Sequence, residues 1–306
     1  MKLEHITGNT FYFAGSSAVG VYIFEDHSCL LVDSGDRKVQ ASRILEALQQ
    51  NNLTVRGIIN THAHADHCTG NQLIQDSTGC KIYTSRLEGV IIENPILTLY
   101  GIYSASPLQA LKNKYLMVEP SVVTDVVIPG QVMINNTSFT ILGLSGHSVE
   151  QIGIVTPDGV AFIGDSLISP KILNSYNFLY MADIENQLHT LDYLETEHFP
   201  TVLLSHGALI KDLPAVIQQN RLLLDQIMDF MLKTLAVPRT REQVIQAVVE
   251  KFSLPMNRSQ YYLVLSSVSA FLSYLCNTRK AGCSVEDGVM KFVASSKTRG
   301  KKQSNQ

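Results

Sequence analysis

Three histidines and an aspartate fall within six residues, in the run Thr61-His62-Ala63-His64-Ala65-Asp66-His67. At this chain's own His and Asp frequencies, the pattern H-x-H-x-D-H arises by chance in on the order of one chain in three thousand. Neutral imidazole and carboxylate are zinc-type ligands. His62 and His64 are two apart, so in extended backbone both rings point the same way. Asp66 and His67 follow as the chain turns, and their side chains can face a neighbouring point. Four ligands in one segment do not complete two metal sites. Gly146-His147, Gly164-Asp165 and Ser205-His206-Gly207 each follow an apolar run and so stand at strand ends. A lone histidine is commonly a core or capping residue and a lone aspartate a turn residue. Together, in order and at strand ends, these three supply the missing ligands.

The elements that must position them are legible nearby. Phe11-Tyr12-Phe13 and residues 19–24 are β-rich, and Cys29-Leu30-Leu31-Val32 is an apolar run that stops at Asp33-Ser34-Gly35, a turn signal. Residues 39–50 have helical spacing, with Ile44, Leu45 and Leu48 on one face. Residues 55–60 read as a buried strand running straight into the histidine motif, followed by a helix from Asn71 and a strand at 82–84. Residues 86–120 predict a partly helical insertion, with its helix at 108–116; its place after the motif suggests a lid. Strands are expected at 126–128, 132–134 and 138–142. A hairpin turns about Pro157-Asp158-Gly159, and its second strand ends at Gly164-Asp165. A helix at 184–195 and a strand at 201–204 precede His206.

After Pro214 the pattern becomes helical. A long helix is expected through Leu222, Ile227 and Leu232. Thr240 opens another as N-cap, with Gln243 three residues on as its capping-box partner. Residues 258–277 form a further helix, and Asp287-Gly288 centres a hairpin. Helix, helix, hairpin is the order of winged-helix modules. The expected organisation is therefore a catalytic domain over 1–212, a helical, winged-helix-like module over 213–295, and a basic, disordered tail over 296–306.

The chain has 306 residues, 45% apolar and 17% charged, enough for a sizeable core. Its longest apolar stretch, from Tyr261 to Cys276, is interrupted by serines and reads as a buried helix, so no membrane association is expected. Met1-Lys2-Leu3-Glu4-His5 does not resemble a signal peptide. The five cysteines have no CxxC spacing, which argues against a disulfide framework and fits a cytoplasmic location. Net charge is −3, but without Lys297, Arg299, Lys301 and Lys302 the remaining 20 basic and 27 acidic residues give −7. The body exerts no overall pull on nucleic acid, which is not the favoured partner.

On these motifs the sequence resembles the metallo-β-lactamase-fold hydrolases. Their signature is an aspartate in an early D-x-G turn (here Asp33), H-x-H-x-D-H, a later histidine (His147), a bridging aspartate (Asp165) and a final histidine (His206). The resemblance covers about residues 1–210. It implies an α/β fold, a four-layer αββα sandwich with metals at one edge. It further implies that His62, His64 and His147 hold one metal, that Asp66, His67 and His206 hold a second, and that Asp165 bridges both. Asp33 would lie beneath the site and orient the motif loop. Two divalent ions follow, zinc foremost, with iron or manganese accommodated by the same ligands. Two such cations lower the pKa of a shared water, which attacks a carbonyl or phosphoryl centre while Asp66 orients it. Ser148 has no evident base partner and reads as structural.

The bridging aspartate narrows the choice of reaction. True β-lactamases of this superfamily usually carry cysteine or serine there and are secreted, so antibiotic hydrolysis is not expected. The full ligand set also argues against the one-metal sulfur dioxygenases. Glyoxalase II-like thioesterases match the metal set and bind glutathione with basic and tyrosine residues, for which Lys171, Tyr176, Tyr180 and Arg258 are candidates. An RNA-cleaving branch carries a C-terminal winged-helix-like module. The corresponding helix here, Arg258–Asn277, is mostly apolar, which favours packing on the catalytic domain or in a homodimer. The expected order is hydrolysis of a small-molecule ester or thioester, then endoribonuclease or phosphodiesterase action, then β-lactamase activity or non-catalytic binding.

Overall fold

The computed structural model describes residues 1–173, 178–207 and 209–295; Tyr176 and the basic tail lie outside the described residues. A seven-stranded sheet runs in chain order through β1 (Leu3–Thr7), β2 (Thr10–Phe13), β3 (Val19–Ile23), β4 (Ser28–Val32), β5 (Thr54–Ile59), β6 (Lys81–Thr84) and β7 (Asp125–Val126). Its first four strands pair antiparallel, and from β4 to β7 the pairing is parallel. A six-stranded sheet contains β8 (Gly130–Ile134), β9 (Thr137–Gly143), β10 (Ile152–Val155), β11 (Val160–Phe162), β12 (Thr201–Leu203) and β13 (Leu209–Ile210). A separate hairpin, β14 (Ala281–Glu286) and β15 (Val289–Ala294), turns at Asp287 and Gly288, both at positive φ.

Alternate strand residues feed different cores, and this sets the layers. Cys29 and Leu31 of β4 pack with Ile44, Leu48 and Ile74, whereas Leu30 and Val32 pack with Phe139, Ile141 and Phe162. The first cluster lies between sheet one and the helices α1 (Lys38–Gln50) and α3 (Asn71–Thr78); the four-residue α2 (Ala65–Cys68) carries part of the histidine motif. The second cluster fills the space between the sheets. On the far side of sheet two, Leu142, Ala161 and Val202 meet α7 (Ile184–Thr196), α8 (Leu213–Thr234), α9 (Arg241–Phe252) and α10 (Arg258–Asn277). The result is the αββα sandwich with a helical C-terminal part. The same apolar core runs from α7 into α8, α9 and α10. The capping box at Thr240 and Gln243 forms as its sequence predicts.

The insertion contains α4 (Arg86–Glu93) and α5 (Ile96–Tyr103), and α6 (Pro170–Leu173) follows β11. The helix expected at 108–116 is only a 3-10 turn, Gln109–Leu111. There the Asn113 side chain accepts the Tyr115 N–H at 3.0 Å, a local bond that competes with continued helix. Leu99, Ile102 and Leu111 of the insertion pack on Tyr262 and Leu263 of α10. The strand expected at 126–128 stops at Val126, because Pro129 follows and Ile128 is turned out to solvent. Among the described residues no helix is long and apolar enough to cross a membrane.

Candidate metal centre

The site forms where the two sheets meet at one edge. Ile152 N–H donates to the Thr61 carbonyl and Ala18 N–H to the Ser205 carbonyl, joining the strand ends that carry the histidines. Two glycines make the approach possible. Gly146 (φ 138°) and Gly164 (φ 56°) sit at positive φ immediately before His147 and Asp165. A Cβ on Gly146 would lie 2.4 Å from Gln187 Cα, so only glycine fits there.

His62, His64 and His147 converge into one nest, and Asp66, His67, Asp165 and His206 into another; within each, one ligand atom per residue lies within 4.8 Å of the others. In the first nest, His64 Nδ1 lies 3.0 Å from both His62 Nε2 and His147 Nε2. The outer hydrogen bonds assign which nitrogens face inward. His147 Nδ1 donates to the Tyr180 carbonyl at 3.0 Å, and His62 Nδ1 donates to Thr61 Oγ1 at 3.0 Å, since that hydroxyl's own proton goes to Asp33. Both Nε2 atoms are therefore left with lone pairs. Burial holds His62, His64 and His147 below the ordinary imidazole range, His147 at about 4, so the nest presents neutral nitrogens.

In the second nest, His67 Nδ1 donates to Asp33 Oδ2 at 2.8 Å and His206 Nδ1 to the Ser16 carbonyl at 2.6 Å, turning both Nε2 atoms inward. Buried His67 Nε2 and Asp165 Oδ1 have no hydrogen-bond partner. Such orphaned atoms are costly in a core unless something else satisfies them. Asp165 Oδ2 lies 3.4 Å from His206 Nε2 and 3.5 Å from both His67 Nε2 and His147 Nε2, so this carboxylate touches both nests. Burial would raise Asp66 and Asp165, but His67 and His206 hold both below the usual carboxylate range. Conversely, burial would lower His206, and Asp165 and Asp66 push it up to about 10. Two carboxylates thus draw positive charge into the nest, and a divalent cation satisfies the same demand.

Asp33 organises this half of the site. Its Oδ1 accepts Thr61 N–H at 2.8 Å and its Oδ2 accepts Thr61 Oγ1 at 2.9 Å as well as His67. All seven expected metal residues lie in the two nests, and Asp33 lies beside them, on Thr61 and His67. Of the expected glutathione contacts, Tyr180 places its ring 5.3 Å from His64 and 5.8 Å from His147. Lys171 lines a cavity of about 690 Å³ together with Ser16, His206 and Lys211. Arg258 instead opens on a separate cavity with Glu242, Val249 and Tyr261, which no nest residue lines. Glu88 was missed. It is a buried carboxylate beside the motif, and nothing in its local sequence distinguishes it from a surface helix residue. The serines of α10 that reach the site are not singled out by its apolar pattern: Ser266 hydrogen-bonds the Tyr180 side chain, and Ser267 Oγ accepts Met181 N–H at 3.0 Å.

Comparison with known proteins identifies the family. The Metallo-beta-lactamase superfamily profile matches residues 14–206, and the chain belongs to that superfamily. It is similar to a hydroxyacylglutathione hydrolase of Pseudoalteromonas translucida (strain TAC 125), 31% identical over 140 residues, 45% of this chain and 41% of that protein. A second hydroxyacylglutathione hydrolase, of Vibrio campbellii (strain ATCC BAA-1116), is 32% identical over 144 residues, 47% of this chain and 44% of the relative. The chain thus covers less than half the length of these relatives. A beta-lactamase domain protein from Burkholderia ambifaria shares the fold with a TM-score of 0.73 at 16% identity, over 96% of this chain and 93% of that one.

Proposed function

We propose that the protein is a binuclear metal-dependent hydrolase that cleaves an ester or thioester bond of a small molecule. The carrying observation is the pair of ligand nests joined by Asp165 Oδ2, with His67 Nε2 and Asp165 Oδ1 buried without hydrogen-bond partners. His62, His64 and His147 would hold one ion, Asp66, His67 and His206 a second, and Asp165 both, with zinc the first choice and iron or manganese compatible. Two bound divalent ions would lower the pKa of a water between them and polarise the scissile carbonyl. Asp66, whose side chain is 41% exposed and whose Oδ2 lies 2.9 Å from His206 Nε2, would be the carboxylate that orients that water. Tyr180 forms a wall over His64 and His147, and the cavity beside His206 gives the leaving group room.

The names of the two bacterial relatives support a thioester, in line with an acyl-glutathione or similar substrate. The buried stripe of α10, from Val264 to Leu275, is committed to the protein's own core, which favours the small-molecule reading over RNA cleavage. The test is turnover of S-D-lactoylglutathione, an acyl-CoA panel and single-stranded RNA by metal-loaded protein. Saturable thioester cleavage that chelator abolishes, and that His64→Ala lowers at least ~100-fold, is expected. Failure on every ester and thioester, or a His64→Ala protein with full metal content and full activity, would sink the proposal.

A further inference from the structure

Glu88 lies in the first turn of α4 and is 1% exposed, yet no cation neutralises it among the described contacts. Its carboxylate accepts three donors from two other segments. Oε2 takes Ala63 N–H at 2.9 Å; Oε1 takes Glu150 N–H at 2.9 Å and the Ser148 hydroxyl. Ala63 stands between His62 and His64, and Ser148 follows His147, so one side chain joins both pieces of backbone that carry the three-histidine nest. The contact is reciprocal. Glu150 Oε2 accepts Leu87 N–H at 2.6 Å at the start of α4, and its carbonyl accepts Ser85 Oγ at 2.7 Å. Charge-assisted bonds to backbone donors are short and directional, and a buried acceptor shared by two loops fixes their separation. Asp33 does the equivalent for the second nest through Thr61 and His67.

We propose that Glu88 is a positioning residue that sets the spacing of His62, His64 and His147, so that the insertion 86–120 contributes to metal affinity at one nest. This inference rests on the metal reading above. Replacing Glu88 by glutamine leaves one acceptor oxygen for three donors and turns an NH2 toward one of them, while filling the same volume.

The test is titration of metal-free protein with Co(II), followed by its visible d–d absorption. Wild type is expected to bind two equivalents, and His64→Ala identifies the transition that belongs to the three-histidine nest. Glu88→Gln should weaken that transition 10- to 100-fold, as loss of partners that orient ligands typically does, and leave the other at wild-type affinity. Equal weakening at both nests would mark a general structural role and overturn the proposal, as would unchanged binding at both. If Glu88→Gln does not fold, Ser148→Ala, which removes one donor and keeps the carboxylate, decides: selective weakening supports the inference and unchanged binding refutes it. Wild type that takes up no Co(II) would instead defeat the underlying metal reading.

Discussion

Asp33→Asn changes one atom beneath the site and should disable His67 as a ligand through the far nitrogen of its ring. Asp33 has φ 63°, a left-handed conformation that asparagine tolerates as well, so the backbone has no reason to move. The carboxylate accepts at both oxygens: Thr61 N–H on one, Thr61 Oγ1 and His67 Nδ1 on the other. An amide has one acceptor. If its oxygen stays on Thr61 N–H, its NH2 faces His67 Nδ1, which must become the acceptor. The His67 proton then moves to Nε2, and the lone pair aimed into the second nest is lost. If the amide flips, a donor meets buried Thr61 N–H, at a cost of about 1–3 kcal/mol. Losing such a tautomer-fixing partner lowers metal affinity by roughly 10- to 100-fold, about 1.4–2.7 kcal/mol. The assay is competition of each metal equivalent against a chromophoric chelator, with urea unfolding of the metal-free protein measured in parallel. The second equivalent should weaken most, with a smaller loss at the three-histidine nest, because the Thr61 hydroxyl that fixes the His62 tautomer also loses its acceptor. An Asp33→Asn protein that binds both equivalents at wild-type affinity would refute the tautomer argument.

Three other outcomes follow from the packing and burial. Phe139 is 1% exposed and stands edge-on to Tyr22 at 5.0 Å between the sheets, so Phe139→Ala should cost about 3–5 kcal/mol in urea unfolding; a loss under ~1 kcal/mol would contradict the assigned inter-sheet core. In chelator-treated protein, burial depresses His147 to about 4 from 6.5, so the unfolded chain binds a proton that the folded one refuses. Its contribution, on the order of 3 kcal/mol, is full above about 6.5 and drains as pH falls toward about 4; a flat urea midpoint over that window would count against it. Cys283 is exposed whereas Cys29, Cys68 and Cys80 are buried, and burial pushes the Cys29 thiol up to about 12. Native alkylation near neutral pH should therefore label Cys283 and spare those three until denaturant is added, read by peptide mass spectrometry; early labelling of Cys29 would mean that the layer beneath α1 opens.

The helical C-terminal part is bound up with the metal centre rather than appended to it. Ser267 holds the backbone at Met181, next to the Tyr180 carbonyl that orients His147, and α10 also carries the insertion through Tyr262 and Leu263. The apolar character of α10 thus follows from packing on α7, α9 and the insertion. Changes in this helix should reach the first nest through His147.

Sequence alone determined what is encoded within a few residues. The H-x-H-x-D-H run, the apolar strands ending at His147, Asp165 and His206, and the capping box at Thr240 all depend on neighbours in the chain. Period-2 and period-3.6 patterns therefore revealed most elements. β13 and α6, too short to show a period, and β1, whose Leu3 to Thr7 does not alternate apolar with polar, were not seen, and Asn113 ended a helix that apolar spacing alone had extended. Tertiary structure decided everything that depends on a hydrogen bond across the fold. It made Asp165 touch both nests, set Asp33 under a loop 28 residues away, and bent Glu88 into contact with Ser148, 60 residues further on. The ligand types could be read from the chain because metals demand particular atoms. The inward nitrogen of each imidazole could not, because it is fixed by whichever carbonyl, hydroxyl or carboxylate the fold brings to the other side of the ring.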